Sequence, residues 1–511
     1  MPEQPDDNDT PEHTQLSVHV ADNKKMLAHL FRNNANFVVR ELGVKQGEAA
    51  SCVAYLNTLI DEKYVNEQLL HLTELTADDS HMSDSDRKSA VLSFLSAMGS
   101  VERLSTPHEM TAYLLEAGFI CCIEGELEAF GVQIPGYKTR SIEESKIEPV
   151  VRGPREAFTE QIQTNLSMVY RRLKSVDLHA VKYKIGSNSK TEVQALYLQH
   201  LVNREVLTEL ERRMKLVKLD ALIESAQLEE VIQDHVYSPF PQIALSERPD
   251  RIVAALNEGR IVLLVDGTPS ALIVPSVFTD FLQASEDYYE RYIFANLTRA
   301  LRLIALVISL LGPSLYIALT TFHQEMLPTP LLLTFTAAKA GVPFPTFIEA
   351  LIMEIAFELL REAGVRLPRT VGQTISIVGA LIIGEAAVQS GIVSRPMVIV
   401  VATTGIASFA IPAFNAAIAF RILRFPFMFV SASLGVFGVA LCALFLLLHL
   451  SSLRSFGIPF LSPIAPVRWK SWLNDIFVFP YPLRKSKHIP SPFSDIHTEE
   501  TVHFQKEEES S

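Results

Sequence analysis

The feature that most constrains this sequence is the distribution of polarity along it. Residues 1–290 are of mixed polarity, and they precede a strongly apolar block and a charged tail. A membrane-spanning helix needs about 20 predominantly apolar residues. The apolar block holds four stretches of that length: Leu303–Phe322, Val371–Val393, Met397–Phe420 and Phe425–Leu450. The sequence therefore predicts an α/β soluble N-terminal part followed by an α-helical polytopic transmembrane domain.

Between the first two stretches, Val342–Leu360 is apolar but carries Glu349, Glu354 and Glu358. A carboxylate at bilayer depth costs about 2.5–3.5 kcal/mol on insertion scales, so it normally faces a partner, a cavity or a water-filled path. On a helix, Glu354 and Glu358 share a face, while Glu349 lies about 140° away. Two interpretations remain open. The helix lies at the interface with its carboxylates in water, or several copies of it ring an axis and attract cations.

Glycine and proline mark candidate hinges around this segment. Gly312-Pro313 stands in the middle of the first stretch, where proline removes a backbone donor and kinks a helix. Pro343 and Pro345 precede the acidic helix, and Gly364 is predicted to close it. Each position is either a gating hinge or a plain packing kink.

Glu385 is the one formal charge inside the four predicted spans. Its small neighbours allow another helix to approach closely, so it is a further candidate for the ion path. Arginines and lysines flank both the first and the last span, which by the positive-inside rule places both ends of the domain in the cytosol. That requires an even number of crossings. A fifth crossing by residues 342–360 would keep Arg361 and Arg366 inside but export the basic tail, so four and five crossings both remain open.

The soluble part repeats itself at one offset. Residues 54–60 align with residues 196–202, and residues 119–125 align with residues 261–267. The second pair consists of an apolar run ended by Glu-Gly or Asp-Gly, which is typical of a strand entering a tight turn. The sequence predicts a duplicated pair of α/β lobes.

The composition excludes several functions. With 45 basic and 58 acidic residues the net charge is −13, which argues against nucleic acid as a partner. The acidic N-terminal residues lack the basic and apolar regions of a signal peptide. The four cysteines (Cys52, Cys121, Cys122 and Cys442) offer neither metal spacing nor a disulfide framework. No catalytic or cofactor motif is recognisable, so the sequence predicts a protein that is not an enzyme and has no cofactor or metal.

Long ordered motifs resemble a known family. They include RGPREAFTE (152–160), ERPDRIVAALNEGRIVLLVDGTP (247–269), EDYYERY (286–292), the run from LPTPLLLTFTAAKAG to IIGEAAVQ (327–389) and LRSFGIPFLSPIAP (453–466). Through these motifs the chain resembles the A subunits of the GerA-type spore germinant receptors. The resemblance covers about residues 30–485.

The resemblance implies a function and partners. Such a subunit lies in the spore inner membrane with its two lobes in the cytosol, beside a transporter-like B subunit and a lipoprotein C subunit. Copies of it are expected to form a ring, a nutrient-gated cation channel whose ion path uses Glu349, Glu354, Glu358 and Glu385. Alternatives are an auxiliary paralogue that amplifies germination and a scaffold that clusters receptors.

The predicted division of the chain follows from these observations. It comprises a disordered extension (1–35), two lobes (36–148 and 149–290), a transmembrane domain (291–452) with a re-entrant or pore-lining helix (342–360), a juxtamembrane segment (453–483) and a disordered charged tail (484–511).

Overall fold

The computed structural model describes residues 16–45, 48–77, 84–136, 145, 148, 150–366, 384–467 and 477–480. The predicted disordered tail and most of the predicted span Val371–Val393 lie outside these ranges. The described residues form a sheet-containing N-terminal part and a helical C-terminal part. We refer to described residues 16–136 as lobe 1 and to residues 150–290 as lobe 2.

Lobe 1 is a five-stranded antiparallel sheet covered by helices on both faces. Its strands are Phe37–Lys45 (β1), Glu48–Leu56 (β2), Val101–Leu104 (β3), Gly118–Ile123 (β4) and Ala129–Gln133 (β5), in the order β1-β2-β4-β5-β3. Its helices are Val20–Leu30 (α1), Glu62–Ala77 (α2), Asp84–Met98 (α3) and Pro107–Leu115 (α4). Every residue of β4 is buried, because its alternate side chains enter hydrophobic clusters on opposite faces of the sheet.

Helix α1 differs from the prediction of a disordered extension up to residue 35. Val20 and Leu27 are buried on one side of this helix. The backbone N–H of Val20 donates to the Glu124 carboxylate at 2.7 Å. Because β4 ends next to Glu124, this contact and the apolar face of α1 hold the helix against the sheet.

Lobe 2 has the same strand order as lobe 1. Its strands are Leu178–Ile185 (β6), Thr191–Leu198 (β7), Ala244–Ser246 (β8), Ile261–Val265 (β9) and Ala271–Val274 (β10), in the order β6-β7-β9-β10-β8. Its helices are Ile162–Arg172 (α5), Arg204–Leu216 (α6), Ser225–Ile232 (α7) and Pro249–Asn257 (α8). The lobes meet where Asn36 Nδ2 donates to Gln194 Oε1 at 2.9 Å.

The predicted turns after the aligned strands are present in both lobes. Gly125 and Gly267 each have φ of +89°, a conformation that glycine adopts without steric cost. Each glycine also donates its N–H to an earlier segment of its own lobe, Gly125 to Val18 and Gly267 to Glu160. The Glu-Gly and Asp-Gly signatures therefore mark structurally equivalent turns.

The C-terminal part is helical. Its helices are Tyr292–Thr321 (α9), Thr329–Lys339 (α10), Thr346–Arg366 (α11), Arg395–Phe409 (α12) and Phe414–Ser452 (α13). Among the described residues, α9 and α13 are the two helices long and apolar enough to cross a membrane. Helix α9 begins before the predicted span and continues through Pro313.

Two helix boundaries differ from the predicted spans. The stretch Met397–Phe420 is divided, because α12 ends at Phe409 and α13 begins at Phe414. Pro412 stands in that break, where its missing N–H disfavours a continuous helix. Arg421 and Arg424, which the sequence places in a link between spans, instead lie within α13.

Helix α13 reverses direction at Gly435. The ring of Phe240 in lobe 2 lies 5.3 Å from that of Phe420 and 6.2 Å from that of His449. In a straight helix these two residues would be about 43 Å apart. The reversal occurs at Gly435, where φ is +60° and ψ is −143°. We call residues 414–434 the first arm of α13 and residues 436–452 its second arm.

The reversal requires glycine for two reasons. A Cβ atom at Gly435 would lie 2.8 Å from the His323 ring and 2.9 Å from Phe322 Cβ, at the end of α9. The positive φ is also costly for any other residue. At Gly267, by contrast, φ is +89° but a Cβ would meet nothing within 4 Å.

We therefore expect Gly435→Ala to lower the thermal stability of the detergent-solubilised protein more than Gly267→Ala. Gly267→Ala is the control and should lose only the free energy that a positive φ costs alanine, about 1–3 kcal/mol. Gly435→Ala adds a steric clash to that cost. Differential scanning fluorimetry of both variants measures this. Equal losses of melting temperature in the two variants would contradict a steric clash between a Cβ at residue 435 and the end of α9.

Candidate functional site

The carboxylates predicted on the acidic helix lie on α11, which runs antiparallel to the first arm of α13. Near the start of α11, the ring of Phe347 lies 6.1 Å from that of Phe429. Further along, Glu354 pairs with Arg424. The register thus brings the acidic helix against the arginines of the first arm.

Glu354 and Arg424 form a buried ion pair. Arg424 Nη1 donates to Glu354 Oε2 at 2.5 Å, and each side chain is 2% exposed. Arg424 also donates from Nε to the Ser309 carbonyl at 2.8 Å and from Nη2 to Ser309 Oγ at 3.2 Å. Removing one partner of such a pair costs about 3–5 kcal/mol, because the other charge stays buried without compensation.

Glu358 belongs to a second, more accessible cluster. It accepts hydrogen bonds from Arg421 at 2.8 Å and from Arg361 at 3.4 Å, and its side chain is 45% exposed. Arg361 also donates to Ser408 Oγ at 2.8 Å and lies over the ring of Phe409. Glu358 and Arg361 thus form an i,i+3 pair on α11.

Glu349 is fully buried and lies at the start of another helix. Its Oε2 accepts the backbone N–H of Ser394 at 2.9 Å, directly before α12. A carboxylate at a helix N-terminus is stabilised by the free N–H groups and by the helix dipole. Its other oxygen has no hydrogen-bond partner among the described residues. Glu349 thus contacts the start of α12, whereas Glu354 contacts the first arm of α13.

Glu385 stands apart from the other three carboxylates. It is exposed, and its contact is local, with Gln389 Nε2 donating to Glu385 Oε1 at 2.9 Å. The structure therefore places Glu354 and Glu358 in two separate ion-pair clusters of α11, gives Glu349 a capping position and leaves Glu385 on the surface of the chain.

The glycines and prolines predicted as hinges lie within or next to α9 and α11. A Cβ at Gly312 would lie 2.8 Å from Thr404 Oγ1, so this glycine permits close packing of α9 on α12. Pro313 is buried inside a continuous α9. Pro343 and Pro345 precede α11, and the Pro345 carbonyl accepts the N–H of Glu349 at 3.1 Å. Gly364 does not close the helix as predicted, because α11 continues to Arg366.

A clasp that the sequence does not predict joins the second arm to lobe 2. The clasp (residues 454–460) contains the two-stranded hairpin Arg454–Ser455 (β11) and Ile458–Pro459 (β12). The N–H of Phe456 donates to Asp234 Oδ2 at 2.6 Å, and the Arg213 guanidinium lies 4.4 Å from the centre of the Phe456 ring. The motif LRSFGIPF marked this segment without indicating its partner.

Phe456 is the main hydrophobic anchor of the clasp, since its ring is 4% exposed and packs into the core of lobe 2. We expect Phe456→Ala to cost about 3–5 kcal/mol, typical of a buried Phe→Ala change. Hydrogen exchange should show faster exchange confined first to residues 454–460. Phe477→Ala, at a half-exposed position, is the control. Unchanged protection in Phe456→Ala would contradict the anchoring role.

A second junction joins lobe 2 to the start of α9. The carboxylate of Asp287 is 1% exposed and accepts from Arg299 at 3.0 Å and from Arg302 at 2.7 Å. Nearby, a cavity of about 280 Å³ lies beside α8. Its lining includes the ion pair of Arg260 with Asp280, at 2.5 and 2.9 Å. These charges are neutralised within lobe 2.

One carboxyl group of lobe 2 is poised to titrate near neutrality. Burial, and secondarily the nearby Glu224 carboxylate, raise the pKa of Glu229 to about 7. Glu224 itself accepts the N–H of Ala226 and so caps α7. Among the described residues no cluster of His, Cys, Asp or Glu has the arrangement of a metal site.

The raised pKa of Glu229 predicts a pH dependence. The folded protein holds this proton more tightly than the unfolded chain, so stability falls as the pH rises from about 4.5 to about 7. Glu229→Gln should flatten the melting temperature of the full-length protein across that interval. Glu230→Gln, at an exposed neighbour, should leave the slope unchanged. A wild-type slope in Glu229→Gln would contradict the assignment.

Comparison with known proteins decides the family. The model of the Bacillus/Clostridium GerA spore germination protein family matches residues 25–490. The chain belongs to this family. The resemblance expected from the motifs is thereby confirmed.

Relatives match over most of their length. The spore germination protein KA of Bacillus subtilis (strain 168) is 40% identical, over 91% of this chain and 85% of that protein. The spore germination protein A1 of the same organism is 36% identical, over 94% and 98%. An uncharacterized membrane protein of that organism, YfkQ, is 41% identical, over 91% and 89%.

A solved structure also matches. It is the N-terminal domain of the A subunit of the Bacillus megaterium spore germinant receptor GerK3. It is 27% identical, covers 52% of this chain and 98% of that chain, and superposes with a TM-score of 0.40.

Proposed function

We propose that this protein is the A subunit of a nutrient-gated germinant receptor, and that copies of it form a ring that conducts cations across the spore inner membrane. A transporter-like B subunit and a lipoprotein C subunit complete the receptor. The observation that carries the proposal is that α11 places three carboxylates among apolar helices, Glu349 and Glu354 buried and Glu358 partly exposed. Membership in a spore germination family supports it.

The helix register supports a multi-pass arrangement. Helix α9 starts at lobe 2, where Arg302 meets Asp287, and ends beside Gly435. Since α11 lies antiparallel to the outgoing first arm, it runs back toward lobe 2 over 21 residues, about 31 Å. We therefore interpret α11 as a full crossing rather than a re-entrant helix. The two arms of α13 add one crossing each way, which fits an even total with both ends in the cytosol.

Two further features fit the proposal. The shared strand order of the lobes is what a duplication would produce. One chain has few helices with which to enclose a conduit, whereas copies related by cyclic symmetry would enclose one between them. The exposed apolar side chains of α9, including Leu297, Leu301 and Ile304, would then face lipid or a neighbouring copy.

Glu354→Gln tests the ion path. Glutamine has the same shape and still accepts a hydrogen bond from Arg424, but it removes the negative charge. We expect nutrient-evoked potassium release from dormant spores, normalised to the protein level in the membrane fraction, to slow about tenfold. Glu325→Gln, an exposed carboxylate next to α10, is the control. Wild-type release from spores with normal levels of Glu354→Gln protein would refute the assignment of Glu354.

Deleting the protein separates the proposed function from its alternatives. Loss of potassium release to one nutrient class supports a conducting subunit of one receptor. Slower release to every nutrient indicates the auxiliary paralogue. A reconstituted assembly without conductance, together with dispersal of other receptors in the deletion strain, indicates the scaffold.

A further inference from the structure

Arg424 is fixed in place independently of Glu354. Two of its three nitrogen donors bind one residue of α9, the carbonyl and the hydroxyl of Ser309. The guanidinium is planar and rigid, so these two bonds determine where its third donor points. The cation is thus part of the framework formed by α9 and the first arm.

Glu354 is held much less firmly. Its Oε2 accepts one hydrogen bond, from Arg424 Nη1, and its Oε1 has no partner among the described residues. Among the described residues, the pair therefore joins a fixed cation to an anion that is held by one hydrogen bond. Because both side chains are 2% exposed, a cation arriving from water does not reach the Glu354 carboxylate in this conformation.

We propose that the Arg424–Glu354 pair is a latch on the ion path. In the resting receptor Arg424 neutralises Glu354 and keeps it inside the protomer. On opening, α11 shifts so that the carboxylate leaves Arg424 and faces the axis of the ring. Arg424 is thus a positioning residue that acts through Glu354. This inference rests on the proposed function.

The neighbouring pair does not provide such a latch. Glu358 shares its carboxylate between Arg421 and Arg361, and its side chain is 45% exposed. Because two arginines donate to Glu358, its charge stays neutralised when one of them is lost. The closed state therefore depends mainly on the buried pair at Glu354.

Four variants in dormant spores separate the latch from the path. Glu354→Asp keeps the charge but shortens the reach to Arg424. Arg424→Gln removes the cation. Glu354→Arg combined with Arg424→Glu reverses the pair and restores the attraction, while Glu354→Gln removes the path charge together with the ionic attraction of the latch. The readouts are potassium loss without nutrient, potassium release after nutrient, and protein level in the membrane fraction.

We expect Glu354→Asp and Arg424→Gln to leak potassium without nutrient about tenfold faster than wild type, which corresponds to about 1.4 kcal/mol of lost preference for the closed state. Glu354→Asp should still respond to nutrient. The reversed pair should retain potassium as wild type does. A leak is a gain of function, so low abundance does not produce it. Arg212→Gln, which removes an exposed partner of Glu209, should behave as wild type.

The latch is refuted if Glu354→Asp is present at normal level and retains potassium like wild type. It is also refuted if the reversed pair leaks as fast as Arg424→Gln, because the leak would then reflect loosened packing. Should Arg424→Gln fail to accumulate, Glu354→Asp and the reversed pair decide the question. Failure of the proposed function has a different signature, namely normal nutrient-evoked release from Glu354→Gln.

Discussion

The helical part of this protein depends on neutralising carboxylates in surroundings that hold little water. In a medium of low dielectric constant an unpaired charge is expensive, and its attraction to an opposite charge is strong. Glu354 obtains its counter-charge from Arg424, 70 residues further along the chain. This pair and the ring contact of Phe347 with Phe429 hold α11 against the first arm of α13.

The same arm connects the ion pairs to the soluble lobes. Its first turns place Phe420 against Phe240 and Phe278 of lobe 2, at 5.3 and 6.3 Å between ring centres. The second arm returns to the same lobe and continues into the clasp, where the N–H of Phe278 donates to the carbonyl of Phe460 at 2.7 Å. Packed contacts therefore run without a break from lobe 2 to Arg424. A displacement in lobe 2 has a direct physical route to the ion pairs.

Short sequence patterns predict part of this structure. The rest depends on contacts between residues far apart in the sequence, which such patterns do not predict. The turn glycines Gly125 and Gly267 and the acidic face of α11 are visible in short windows of sequence. The reversal at Gly435 is not, because glycine is common in apolar membrane segments and the residues on both sides stay apolar. Arg424 looked like part of a link between spans, since its partner lies far away in sequence and only the fold brings them together.

Stability alone does not account for the Arg424–Glu354 pair. Replacing a buried ion pair by apolar side chains of similar volume is often neutral or stabilising, because the pair must first lose its hydration. A bundle built only to anchor the lobes would therefore hold together as well with leucine or methionine at these positions. What the pair adds is asymmetry, since Arg424 has two further bonds to Ser309 and Glu354 has one carboxylate oxygen without a described partner. In the proposed latch, that asymmetry would let the acidic helix move while the cation stays in place, so the pair fits a moving part better than a fixed support.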